Sequence, residues 1–170
     1  PGSFLGSGGG TTSLLVEAWR KTGAGQRFCQ WLRQSKKLLI HAGGQSRRLP
    51  AYAATGKILL PIPVFRWAKG QRINQTLLDL QLPLYEQILD GSPDDAVAMV
   101  TSGDVLIRSR GPIPRHRDVD VTCFGLWVPP EAASRHGVFF VRRSQPDSLS
   151  FFLQKPAPQR IRELAPDYLF

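Results

Sequence analysis

The chain has 170 residues, 42% of them hydrophobic, so it can bury the core of one sizeable domain and is too short for two comfortable ones. Its formal net charge is +9, and residues 1–50 hold eight basic residues against one acidic residue, Glu17. No apolar run approaches the roughly 18–20 residues that a membrane helix needs, and the two cysteines form no C-x-x-C pair, which argues against a zinc site.

The uneven charge favours a small, phosphate-rich ligand. A nucleic-acid-binding protein would also be basic, but the sequence shows no helix with regularly spaced Lys and Arg and no basic strip interleaved with aromatic residues. We therefore expect neither a nucleic-acid partner nor a membrane partner. A solvated basic face without a function is the remaining interpretation.

The first third of the chain predicts two helices and a strand. Residues 6–12 are rich in glycine and predict a flexible loop. The threonines at the end of this loop can cap a helix predicted over residues 13–21. A second short helix is expected around residues 28–32. An apolar strand over residues 38–42 follows.

The remaining two thirds alternate between helix and strand patterns. Leucine spacing predicts a helix over residues 74–89, bent or restarted at Pro83, and the apolar run 96–101 is typical of a central strand covered on both faces. Strand character returns at residues 119–128, 137–142 and 150–153, with turns expected at 129–130 and 145–147. The pattern predicts an α/β protein with a mostly parallel sheet and ligand loops at its carboxyl edge.

The sequence also predicts the cellular location of the protein and that the domain is incomplete. Cys29 on a helix and Cys123 in an apolar strand fit buried free thiols in a reducing compartment, and no signal-peptide pattern follows Pro1, so we expect a cytoplasmic protein. Met99 is the only methionine, and the chain stops in an apolar segment. We therefore expect an incomplete domain belonging to a longer chain.

The most informative segment lies directly after the predicted strand 38–42. Gly43 and Gly44 would let backbone N–H groups approach a phosphate, and Arg47, Arg48 and Lys57 supply positive charge. The segment fits neither the P-loop pattern nor the dinucleotide-binding fingerprint. A triphosphate site is the natural interpretation.

This segment resembles the signature of the sugar-phosphate nucleotidylyltransferases, A-G-G-x-G-T-R-L-x-P followed by K-P-x-x-P. Residues 42–50 correspond to the first part and residues 57–61 to the second. The chain departs from the pattern at Ser46 (family Gly), Arg47 (family Thr) and Ile58 (family Pro), and lacks one spacer before the first proline.

Over essentially its whole length, the chain resembles the fucose-1-phosphate guanylyltransferase part of the bacterial bifunctional fucokinase/GDP-fucose pyrophosphorylase family. The segments that carry this likeness occur in order at residues 6–11, 41–60, 62–67, 80–85, 102–105, 136–138 and 153–156. The resemblance implies a Rossmann-like nucleotidyltransferase fold, with residues 1–170 as the N-terminal, nucleotide-binding part. It also implies that GTP and fucose 1-phosphate react to give GDP-fucose and pyrophosphate, and that a kinase domain is fused elsewhere in the longer chain.

Three charged residues are the first candidates for the chemistry. The nucleophile is an oxygen of an already anionic sugar phosphate, so no general base is required and catalysis is mostly positioning and charge neutralisation. We expect Arg48 and Lys57 to neutralise the triphosphate as catalytic residues. Asp104 ends a predicted strand, and the matching family motif places a Mg²⁺ ligand there. The alternatives are a surface salt bridge for Arg48, a solvated lysine for Lys57 and a turn cap for Asp104.

Binding residues are expected in three segments. Lys155 resembles the family's second signature lysine, which contacts the sugar phosphate, and Gly137 is assigned to the same site; a common Lys-Pro loop is the alternative. The candidates for nucleotide binding are Gly8, Gly9, Gly10, Thr11, Gly43, Gly44, Gln45, Ser46 and Arg47. A mobile N-terminal loop is the alternative for the first four of these.

Other functions remain open on the sequence alone. A relative acting on another sugar 1-phosphate or another nucleotide is the nearest alternative. A non-catalytic nucleotide-binding or nucleic-acid-binding module belongs to a different class, and its backbone contacts would weaken steeply with salt. A chain that binds but does not turn over is the third possibility.

Overall fold

A computed structural model describes residues 6–42, 56–62, 74–108 and 119–170. Arg48, Gly43, Gly44, Gln45, Ser46 and Arg47 therefore lie outside the described residues. The chain divides into two compact units, Pro1–Asp118 and Val119–Phe170. That residues 1–170 form one incomplete domain stays a prediction.

The described part of the first unit starts with a helix where the sequence predicted a loop. Helix α1 spans Gly6–Thr22, so the expectation of a flexible loop over residues 6–12 is wrong. Glycine disfavours helix by about 1 kcal/mol relative to alanine, but tertiary contacts can override such preferences. One such contact joins Thr11 Oγ1 to His41 Nε2 at 2.7 Å. The predicted helix over residues 13–21 is confirmed as the later part of α1.

Helix α2 and strand β1 are joined by a lysine that caps the helix. Helix α2 spans Phe28–Arg33 and β1 spans Lys37–His41, which confirms the predicted helix and strand. Lys37 Nζ donates to the carbonyl oxygens of Trp31, Leu32 and Ser35 at 2.6, 2.9 and 2.7 Å. Because a cation at the carboxyl end of a helix satisfies free carbonyl groups, these contacts terminate α2.

Helix α3 spans Leu77–Gly91 and is attached to the strands by buried polar groups. Thr76 forms a capping box with Asp79, and Pro83 lies inside an uninterrupted helix, so no restart occurs there. Tyr85 is fully buried, and Thr101 Oγ1 donates to its hydroxyl oxygen at 2.9 Å. This hydrogen bond ties α3 to the strand that follows it.

The two described strands of the first unit are parallel. Strand β2 spans Ala98–Ser102 and pairs with β1 from Lys37↔Ala98 to His41↔Ser102. The strand predicted over residues 96–101 is confirmed, but the expectation that both faces are covered is wrong, since Val100 is 52% exposed. An apolar run alone does not reveal how many layers pack against it.

The second unit is a three-stranded antiparallel sheet with two short helices. Strands β3, β4 and β5 span Gly137–Arg142, Gln145–Gln154 and Tyr168–Leu169, and helices α4 and α5 span Pro130–Ala133 and Pro158–Leu164. The strand order is β4-β3-β5. The core centres on fully buried Phe140 and Ile161, with Phe151 stacked on Phe140 at 4.8 Å between ring centroids.

Several expectations for this unit are wrong. Residues 119–129 form no helix or strand, Pro130 begins α4, and residue 145 begins β4 instead of a turn. Cys123 lies in that irregular, exposed segment, and Cys29 is exposed as well, so neither is a buried thiol. An apolar segment is buried only where another layer of the fold packs on it, so apolar sequence alone does not establish burial.

The mixed α/β class is confirmed, but the described strands form one parallel pair and one antiparallel sheet of three, not a mostly parallel sheet. The Rossmann-like fold stays a prediction. In the part of the chain that the structure describes, no helix is long and apolar enough to span a bilayer.

Candidate functional site

The carboxyl edge of β1 and β2 carries the site in the first unit. Both strands end at this edge because they run parallel, with His41 opposite Ser102. The N–H of Gly103 donates to the carbonyl oxygen of His41 at 3.0 Å. A Cβ at Gly103 would lie 3.1 Å from Ala42 Cα, so glycine permits this close approach of the two chains. Ligands of open α/β sheets bind at this edge.

Lys57 and Asp104 meet at this edge as an ion pair. Lys57 Nζ lies 3.1 Å from Asp104 Oδ2, and the two side chains are 39% and 47% exposed. The residues are 47 positions apart in the sequence. The structure therefore brings together two of the predicted site residues, one cation and one carboxylate, at the predicted edge.

A third side chain completes the surroundings of Asp104. Ser102 Oγ donates to Asp104 Oδ1 at 2.7 Å. This hydrogen bond, followed by that of Lys57, lowers the pKa of Asp104 from its ordinary value, because both partners stabilise the charged carboxylate. Asp104 is therefore ionised at neutral pH and available as an anionic oxygen ligand.

Lys57 is held by the turn on which it lies. It begins a short 3₁₀ helix, Lys57–Leu59, in which Ile58 is buried. Gly56 precedes it with φ of 77°, a backbone conformation that favours glycine. The carbonyl oxygen of Leu60 accepts from the N–H of Leu77, which attaches the turn to the start of α3.

The carboxylate of Asp104 has the chemistry of a magnesium ligand, and a metal ion at this position stays a prediction. The described residues contain no group of three or more His, Cys, Asp or Glu side chains that could hold a metal. Magnesium commonly binds through one or two carboxylates, with substrate phosphates and water completing its shell. A half-exposed, ionised carboxylate at the edge where a nucleotide would bind meets that requirement.

The predicted nucleotide-binding residues of the N-terminus lie in α1. Gly8, Gly9 and Gly10 belong to its first turns, and no acidic side chain lies in the first turn. The contact between Thr11 and His41 brings this part of α1 to the end of β1. Their role in nucleotide binding stays a prediction, as does that of the residues after Ala42 that lie outside the described ranges.

Lys155 and Gly137, the predicted sugar-phosphate residues, lie at one end of the β3–β4 hairpin in the second unit. Gly137 pairs with Gln154, and the N–H of Lys155 donates to the carbonyl oxygen of His136 at 2.9 Å. Lys155 has φ of 48°, which is uncommon for a residue with a side chain. The structure therefore brings these two residues together, and their ligand stays a prediction.

Two contacts at the edge of β1 and β2 went beyond the sequence prediction. The sequence assigns no role to Ser102, although a hydroxyl two residues before a carboxylate is a known local hydrogen-bonding pattern. The second contact joins His41 Nε2 to Thr11 Oγ1 of α1 at 2.7 Å. That contact spans 30 positions and has no local signal.

The fold and the site define a class of protein. It is an α/β protein with a lysine–carboxylate pair at the carboxyl edge of parallel strands. The chain belongs to the fucose pyrophosphorylase domain family, whose sequence profile matches residues 30–165. It is also 51% identical, over 169 residues, to an L-fucokinase/L-fucose-1-P guanylyltransferase of Bacteroides fragilis.

The alignment with that relative covers 99% of this chain and 18% of the relative. The chain thus spans less than a fifth of the length of the protein that it matches. No solved structure matches the chain.

Proposed function

We propose that the chain contributes to nucleotidyl transfer from GTP to L-fucose 1-phosphate, which gives GDP-fucose and pyrophosphate. The family and the name of the relative support this class of reaction. The structural observation that carries the proposal is the Lys57–Asp104 pair at the carboxyl edge of β1 and β2. The pair supplies a cation for phosphate and a carboxylate for a hard metal ion at one place.

In the proposed reaction, a phosphate oxygen of the sugar phosphate attacks the α-phosphorus of GTP. The new P–O bond joins sugar phosphate to GMP, and the bond to the bridging oxygen breaks as pyrophosphate leaves. The nucleophile is anionic at neutral pH, so the main obstacle is repulsion between anions. Lys57 neutralises the triphosphate and the charge that develops on pyrophosphate, and Arg48 shares this role.

Asp104 would hold Mg²⁺ through its carboxylate. When bound, the ion would neutralise phosphate charge and help to orient the triphosphate. Ser102 keeps the carboxylate in one orientation through the 2.7 Å hydrogen bond to Oδ1. In this proposal, the nucleotide contacts residues of α1 and of the segment 43–47. The residues of α1 are Gly8, Gly9, Gly10 and Thr11.

Lys155, with Gly137 beside it, is the proposed contact of the sugar phosphate. Its side chain is exposed, and its backbone has a conformation that glycine would adopt at lower cost. A lysine at a position with this backbone conformation is consistent with a role for the ammonium group. We also propose, from the relative's name, that a longer polypeptide joins this chain to a fucokinase. The cytoplasmic location stays a prediction from the sequence.

Ligand-induced thermal stabilisation tests the proposal. A ligand that binds the folded state raises the unfolding midpoint, and we expect GTP with Mg²⁺ to do so more than ATP with Mg²⁺. Lys57→Met should reduce the stabilisation by either nucleotide, because both carry the triphosphate, whereas Lys21→Met, which breaks the exposed ion pair with Glu17, should leave both shifts unchanged. Equal stabilisation by ATP, or no stabilisation of a folded sample by GTP, contradicts the proposed use of GTP.

Product formation tests the choice of sugar. With GTP and Mg²⁺, we expect chromatography to detect a GDP-sugar with L-fucose 1-phosphate and none with mannose 1-phosphate. A GDP-sugar formed equally well from mannose 1-phosphate would point to the nearest alternative, a nucleotidylyltransferase for another sugar. GTP binding without any product would indicate a chain that binds but does not turn over.

A further inference from the structure

The two oxygens of Asp104 are held in different ways. Oδ1 accepts from Ser102 Oγ at 2.7 Å, and Ser102 is the last residue of β2, paired with His41. Oδ2 accepts from Lys57 Nζ at 3.1 Å. The first contact comes from a short side chain on a hydrogen-bonded strand, and the second comes from the end of a long, flexible side chain.

The contact with Lys57 is the one that can be exchanged. Both partners are more than one third exposed, and ion pairs of this exposure contribute little to stability. The lysine stem has four carbons and lets the ammonium move away from Oδ2. A divalent cation placed on the same oxygen would repel the ammonium, so the two cations would compete for Oδ2.

We propose that Lys57 and a divalent cation occupy Asp104 Oδ2 in alternation, while Ser102 acts as a positioning residue that holds Oδ1 in place. This exchange rests on the proposed function. When a metal–nucleotide complex arrives, Oδ2 passes from Lys57 to the cation, and the released ammonium contacts a phosphate of the same ligand. One ion pair is thereby replaced by two contacts, with no change in the total charge of the two residues.

The exchange makes the metal and the nucleotide bind together. A metal ion alone must displace Lys57 without offering the ammonium another anion, so it binds weakly. A triphosphate without metal offers Lys57 a partner but leaves Asp104 facing phosphate anions. Only the complex satisfies both residues, which is a favourable coupling between the two ligands.

The test measures binding of Mn²⁺ alone, as a stand-in for Mg²⁺, by water-proton relaxation, with and without GTP. In Lys57→Met, which keeps an apolar stem and removes the charge, we expect Mn²⁺ alone to bind about fivefold tighter or more, while GTP binding in the presence of Mn²⁺ weakens by at least that factor. The matched control is Lys21→Met, which breaks the ion pair with Glu17 and should change neither affinity.

The role of Ser102 is tested in the same assay. Ser102→Ala should weaken Mn²⁺ binding, and Ser102→Thr, which keeps a hydroxyl, should restore it. Equal Mn²⁺ affinity in Ser102→Ala and wild type would remove Ser102 from the positioning role.

Two outcomes separate failure of the exchange from failure of the proposed function. The exchange is wrong if Lys57→Met binds Mn²⁺ alone no tighter than wild type does, while GTP binding still needs Lys57 and Asp104. The same conclusion holds if neither protein binds Mn²⁺ alone. If Asp104→Asn and Lys57→Met both leave GTP binding intact, the proposed site itself is wrong.

Discussion

Replacing Lys155 with glycine should separate the stability of the fold from the binding of the sugar phosphate. Lys155 has φ of 48° and an exposed side chain, and its N–H donates to the carbonyl oxygen of His136. A left-handed backbone costs a residue with a Cβ about 1–2 kcal/mol, and glycine avoids this cost. Glycine's greater freedom in the unfolded chain offsets about 0.5–1 kcal/mol of the gain. We therefore expect Lys155→Gly to stabilise the protein by between zero and about 1.5 kcal/mol.

The assay is urea-induced unfolding, combined with the thermal shift produced by fucose 1-phosphate. The matched control is Ala24→Gly, because Ala24 has φ of 43°, is exposed and has no proposed function. Both variants should be as stable as wild type or more stable, and only Lys155→Gly should lose the shift. Clear destabilisation of Lys155→Gly alongside a neutral or stabilised Ala24→Gly would show that the lysine side chain supports the fold. An unchanged shift would refute its role in binding.

Three further predictions concern particular side chains. Gly137→Ala should cost up to about 1 kcal/mol in urea unfolding, because a Cβ there would lie 2.5 Å from Phe152 Cε2 and the half-exposed ring must shift, whereas Gly10→Ala, with no atom within 4 Å, should stabilise α1 by about 1 kcal/mol. Lys37→Met should destabilise the first unit by about 1–3 kcal/mol, since three carbonyl oxygens lose their donor; a variant as stable as wild type would contradict this. Folding lowers the pKa of Asp104 from its ordinary value of 3.8. The ionised carboxylate therefore stabilises the folded state at pH values above 3.8, and this contribution is lost as the pH falls below that value. Asp104→Asn should remove this part of the pH dependence of the free energy of unfolding. For so exposed an ion pair we expect a change of less than about 1 kcal/mol, measured by urea unfolding at pH 3 and pH 6.

Local patterns in the sequence predicted the elements that have strong local signals. The apolar run before Ala42 and the apolar run 96–101 both form strands, and the leucine spacing around Tyr85 forms a helix. These signals are local because side-chain periodicity follows from the geometry of each element. The glycine-rich start of α1 was missed because its preference for a loop was overridden in the folded chain.

The candidate site was predictable in its residues but not in its contacts. The identities of Lys57 and Asp104 follow from the motif resemblance, and the resemblance identified the family that the sequence profile confirms. Only the tertiary structure shows that these side chains meet at 3.1 Å, with Ser102 on the other carboxylate oxygen. A contact between residues 47 positions apart depends on the parallel pairing of β1 and β2 and on the turn that carries the lysine, and neither is encoded in a local pattern. Local preferences act over a few residues, whereas long-range contacts are decided by which surfaces the folded chain buries together.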